Sequence, residues 1–122
     1  MSTTETFVPY MPHGEATPDS VQATIDGALE LLGPNGENWL QGQLRGFSAN
    51  PAGGFVGAFC VVGALEQAAP DYESYAAARD ALKDTLSGLR LSGSGNIDRW
   101  NNRSSWSQVQ TALEQTASRI AA

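Results

Sequence analysis

With 122 residues, thirteen acidic side chains against seven Lys and Arg, and a net charge of −6, the chain is sized for one domain and carries the wrong sign for a phosphate backbone or an anionic lipid surface. A single cysteine excludes an intramolecular disulfide framework and suits a reducing compartment. No stretch approaches the ~20 apolar residues of a membrane span, and Met-Ser-Thr-Thr-Glu-Thr has neither the basic nor the apolar part of a signal peptide, so the expected location is the cytoplasm.

Residues 1–16 contain Pro9, Pro12 and Gly14 and keep neither a helical nor a strand period, which predicts an N-terminal arm ahead of a single domain at 17–122. Phe7, Tyr10 and Met11 make that arm more apolar than a linker, and together with Trp39 they are the candidate partner-binding residues. Thr17-Pro18-Asp19 then opens a helix expected over 17–32, with an N-cap hydroxyl, proline in the first turn and an acid at the positive end of the dipole. Val21, Ile25, Leu29 and Leu32 recur on its inner face, and Gly33-Pro34 ends it.

From 35 to 57 glycines interrupt an aromatic series of Trp39, Phe47 and Phe55. The expectation is an irregular segment with a short helical turn at 38–45 and a loop through 50–54. The next helix, expected over 59–69, puts Phe59, Val62, Leu65 and Ala69 on one side, with Gly63 and Ala64 allowing close helix approach. Asp71 caps a helix over 71–87 bearing Tyr75, Ala78, Leu82 and Leu86. A Gly/Ser-rich turn region follows, then a short link, Ile97 to Asn102. The Ser105-Trp106-Ser107-Gln108 capping box starts a last helix over 105–121 with Val109, Leu113 and Ile120 inward. The fold class is therefore all-α or nearly so, a bundle of about four main helices around a Gly/aromatic-rich irregular segment. Two of the three tryptophans belong in the core.

Chemistry-bearing residues are few. Cys60 stands at the expected start of the 59–69 helix, where a thiol can become a nucleophile, but Phe59-Cys60-Val61-Val62 is also how an inert core cysteine looks. A nucleophilic Cys60 needs a base, and the one histidine is His13 in the arm; the Cys60–His13 pair is thus the alternative reading, and a structural thiol the favoured one. One Cys and one His are too few soft ligands for zinc, and the carboxylates lack calcium-loop spacing. No metal and no cofactor is expected. The glycine runs at 53–57 and 93–96 lack the Lys-Ser/Thr end of a phosphate loop.

Three short motifs stand out together: Trp39-x-x-Gly42, Cys60-Val61-Val62-Gly63-Ala64-Leu65, and Trp100-Asn101 running into Ser105-x-x-x-Val109-x-x-x-Leu113. Over roughly residues 21–117 this pattern resembles an uncharacterised family of small, mainly helical proteins of actinobacteria and their bacteriophages. Asn102 stands where the resemblance leads one to expect an acid, which removes the carboxylate that would give this turn a catalytic role. The resemblance implies an accessory protein of phage or actinobacterial origin with no established activity. Joined to the acidic surface and the incomplete catalytic set, it favours action by protein–protein contact, with a host protein or a second copy as partner. The alternative is a small thiol hydrolase or transferase using Cys60 with His13.

Overall fold

Thr17 and Ser20 fix the start of the first helix by reciprocal bonds. The Thr17 hydroxyl accepts from the Ser20 amide at 3.0 Å and the Ser20 hydroxyl from the Thr17 amide at 2.9 Å. These satisfy donors that a helix terminus leaves free. Helix α1, Pro18–Leu32, buries Val21, Ile25, Ala28 and Leu32 at three- and four-residue spacing. The computed structural model describes residues 11–49, 55–91 and 95–122; Phe7, Tyr10, the 50–54 loop and the first half of the 93–96 glycine run lie outside the described residues.

Two strands follow, where a helical turn and an irregular loop are predicted from the sequence. Strand β1, Arg45–Ala49, pairs antiparallel with β2, Phe55–Phe59. The expected turn at 38–45 is not helical: the Trp39 position forms an isolated parallel bridge to Phe59 instead. The Phe59 amide donates to the Asn38 carbonyl and the Phe59 carbonyl accepts from the Leu40 amide, both at 2.9 Å. Those bonds hold Phe59 in the sheet, so the next helix begins two residues later than its apolar spacing suggests.

That helix is α2, Val61–Ala68, with Cys60 as its N-cap. Helix α3, Tyr72–Leu89, is capped by Asp71, whose carboxylate accepts from the Ser74 amide at 2.7 Å. The link expected at 97–102 is itself a short helix, α4, Ile97–Arg103, capped by Asn96. Helix α5, Trp106–Ala121, carries the predicted capping box between Ser105 and Gln108. Among the described residues there are five helices and one two-stranded sheet, so the chain is mainly helical, as expected, but not strictly all-α.

Helix α1 packs against α2, α3 and α5, and the core runs through Ile25, Leu32, Val61, Leu65, Leu82, Leu86, Trp100, Val109 and Leu113, all fully buried or nearly so. Trp39 and Trp106 are only partly buried at its margin. The predicted core positions Leu29, Val62 and Ile120 are likewise partly buried and pack against it. Ion pairs among the described residues are Arg45–Glu66, Arg79–Asp80 and His13–Glu73. Arg119 makes none of these and donates to the Thr85 hydroxyl at 2.9 Å instead.

Gly63, the third residue of α2, sits in a close approach as expected, but to the backbone of the irregular 38–44 segment and not to another helix. A Cβ at Gly63 would collide with the backbone carbonyl oxygen of Leu44, which cannot swing aside as a side chain can. Gly63→Ala is therefore expected to destabilise by about 2 kcal/mol through overpacking, outweighing the ~1 kcal/mol that alanine ordinarily gains in a helix. Gly88 in α3 has open space around it, and Gly88→Ala is expected to stabilise by roughly 0.5 kcal/mol. Urea denaturation of both variants checks the opposite signs.

Candidate functional site

The three sequence motifs meet at one place. Asn101 sits in α4 at 1% exposure, and its carboxamide reaches three separate segments. Its Oδ1 accepts from the Trp39 indole Nε1 at 2.8 Å and from the Val61 amide at 3.0 Å, while its Nδ2 donates to the Leu40 carbonyl at 2.9 Å. The Val61 amide is one of the free donors at the start of α2, and Leu40 lies in an irregular segment, so both need partners from outside regular structure.

Neighbouring polar groups extend the clamp. Gln41 Nε2 donates to the carbonyls of Asn101 and Ser104, at 3.1 and 3.0 Å, closing the C-terminal end of α4. Asn102 Oδ1 accepts from the Gly42 amide at 2.7 Å. Gly42 has φ of 84° with nothing near a hypothetical Cβ, so its glycine is required by backbone conformation and not by space. The residue standing in place of the expected acid is thus a carboxamide that anchors a loop.

Beside this clamp lies a cavity of about 200 Å³ bordered by Gly42, Gln43, Leu44, Cys60, Asp98, Asn101 and Asn102. Cys60 is 5% exposed. Its amide donates to the Leu44 carbonyl at 3.1 Å, and its Sγ accepts from the Gly63 amide at 3.4 Å. Burial pushes the thiol above its ordinary value of 9.0; the Gly63 and Val62 amides pull the other way without overcoming it, and the Asp98 and Glu66 carboxylates add to the rise. At neutral pH Cys60 is a protonated thiol, the less nucleophilic form.

His13 is elsewhere. Its Nδ1 lies 2.9 Å from Glu73 Oε2 and its ring meets Tyr72 edge-on at 6.0 Å, while the Gly14 amide donates to Glu73 Oε1 at 2.8 Å. The Gly14 amide, then His13, hold the exposed Glu73 carboxyl below its ordinary value. Cys60 precedes the first residue of α2 and Tyr72 follows its last turn, so a helix of eight residues, about 12 Å in length, separates the two surroundings. The structure does not bring Cys60 and His13 together. Among the described residues, no three His, Cys, Asp or Glu side chains converge as a metal site would need, and no helix is long and apolar enough to cross a membrane.

Of the candidate contact residues, Met11 is partly buried against the core, and Trp39 is occupied by Asn101 and by Trp106, whose ring centroid is 5.9 Å away. Among the described residues, the exposed aromatic is one that the sequence did not single out as a contact residue. Phe47 in β1 is 75% exposed, and Leu44 beside the strand is 45% exposed. The available signal was a phenylalanine between polar and glycine residues, Arg45-Gly46-Phe47-Ser48, an alternation that marks a half-solvated strand.

Five helices and one hairpin tied to a buried asparagine define a mainly helical domain with a small β-appendage. The chain belongs to the family of unknown function DUF6197, which matches residues 16–119 and so takes in all three motifs. No curated protein and no solved structure matches the chain.

Two outcomes follow from this geometry. Asn101→Ala removes the partners of a buried indole N–H, a helix-start amide and a carbonyl, and is expected to cost roughly 3 kcal/mol or more; Asn101→Asp restores the acceptor but not the donor and is expected to remain well below wild type, as denaturant titration will show. Cys60 is expected to resist alkylation in the native protein at neutral pH. Because its folded-state pKa is raised, the native state holds the proton more tightly. Its stabilising contribution is then complete below the ordinary thiol pKa and declines as pH rises through and above it. Cys60→Ser, which can still accept from the Gly63 amide as an N-cap, is expected to remove that part of the alkaline slope, leaving the rise of buried Tyr75 to act at higher pH.

Proposed function

We propose that this protein is a non-enzymatic accessory protein that acts by binding another protein, with the β1 side of the hairpin as its contact surface. The observation that carries this is Phe47, a large aromatic ring left 75% exposed on a strand, with Leu44 exposed beside it. Aromatic side chains are the usual anchors of protein interfaces. Met11 is already packed on the core and Trp39 is hydrogen-bonded inside, so the hairpin is the better contact surface than either of these two residues. The resemblance to proteins of actinobacteria and their phages supports a role in such a cytoplasm, on a host protein or a second copy. The net charge of −6 argues against nucleic acid.

A thiol hydrolase or transferase is the weaker reading. Burial keeps Cys60 protonated, its Sγ already accepts from Gly63, and His13 is held by Glu73 beyond the far end of α2. The deciding experiment is affinity capture from an actinobacterial lysate with wild type, Phe47→Ser, Cys60→Ser and a chain lacking residues 1–10. A partner kept by Cys60→Ser and by the shortened chain but lost with Phe47→Ser is the expected result. A partner indifferent to Phe47, or rapid native labelling of Cys60, would contradict it.

A further inference from the structure

The backbone of β1 specifies one partner. The Cys60 amide donates across the hairpin to the Leu44 carbonyl, whereas Phe59 turns both its backbone groups away, to Asn38 and Leu40. In the register Arg45–Phe59, Gly46–Ala58, Phe47–Gly57, Ser48–Val56, antiparallel alternation then makes Gly46 and Ser48 the residues that exchange bonds with β2. The N–H and C=O groups of Arg45, Phe47 and Ala49 point the other way, out of the sheet, without backbone partners among the described residues. Segment 38–40 seals β2 at Phe59; among the described residues no equivalent segment pairs with the outer side of β1.

Sheet edges are ordinarily blunted by proline, a bulge or prominent charges. Strand β1 has no proline, pairs in unbroken register, and carries one charge, Arg45, which is engaged by Glu66 at 2.7 Å. We propose that this edge pairs with β1 of a second copy, antiparallel about a two-fold axis passing beside Phe47, to give a four-stranded sheet. This rests on the reading of the hairpin as a contact surface and names its occupant.

Self-pairing is favoured by what faces what. Centred on Phe47, the overlap uses the whole strand and sets outward-pointing groups against outward-pointing groups, each facing pair exchanging two bonds. The two exposed Phe47 rings become a cross-strand aromatic pair. Arg45 faces position 49 of the second copy, so the strand's only charge never opposes itself, and the acid nearest the strand, Glu66, is already paired with Arg45. An isolated two-stranded hairpin is marginal in water, and four strands relieve that.

Sedimentation equilibrium tests the proposal. Wild type is expected to shift with concentration from the 12.9 kDa monomer to a dimer. Phe47→Pro deletes an N–H that points out of the edge while sparing the bonds at Gly46 and Ser48; it is expected to stay monomeric with unchanged helical circular dichroism. Phe47→Ser, which keeps the backbone and loses the ring, is expected to weaken dimerisation at least tenfold. A wild type that is monomeric at about 0.5 mM, or a Phe47→Pro variant that dimerises like wild type, would overturn self-pairing. If wild type is monomeric and Phe47→Ser still loses a different captured protein, self-pairing alone fails; if Phe47 substitutions alter neither assembly nor capture, the binding reading fails with it.

Discussion

One carboxamide holds the non-helical part of this protein to the helical part. Segment 38–44 has little regular hydrogen bonding of its own, and α2 starts with amides that no preceding turn can satisfy. Asn101 supplies an acceptor to the Trp39 indole and the Val61 amide and a donor to the Leu40 carbonyl from a single buried side chain. Leaving even one such group buried and unpaired costs about 1–3 kcal/mol. A carboxylate cannot donate and an aliphatic side chain can do neither, so the choice of residue follows from the demand for both roles at one point.

That clamp also decides what faces solvent. By holding 38–40 against Phe59 it closes the outer side of β2, and by drawing Gly42 onto Asn102 it seats the Leu44 carbonyl where Cys60 bonds to it and where Gly63 must lack a side chain. The thiol ends up beneath this loop, desolvated and protonated. Strand β1 is left on the outside, its outer edge without backbone partners among the described residues. The buried cysteine and the outward-facing strand are thus two results of the same local packing.

The long helices were legible because their signals are local. Thr17-Pro18, Asp71 and the Ser105–Gln108 box each act within one turn, and the apolar spacing of α1, α3 and α5 continues for several turns behind them. The hairpin was only faintly legible, since the alternation at Arg45-Gly46-Phe47-Ser48 lasts four residues, Gly57 leaves its partner strand without one, and Phe59 also fits the helical spacing of Val62 and Leu65. What settles Phe59 is its backbone pairing with Asn38 and Leu40, some twenty residues away. The Trp-Asn motif was visible as a pattern, yet a buried role for Asn101 depends on three groups distant in sequence. Ile97–Arg103, a short link by sequence, is a helix because the Asn96 side chain caps its first turn and Trp100 is buried in the core.

The central claim is that the clamp is a permanent part of the native fold, opening only when the core opens. Native-state hydrogen exchange followed by NMR tests this at the Trp39 indole N–H and the Val61 amide, both held by Asn101 Oδ1. The expected result is that the two protons exchange with the same opening free energy, equal to that of buried amides in α1, and respond together to added denaturant. A Trp39 indole proton that exchanges as fast as a solvent-exposed amide, while α1 stays protected, would contradict it.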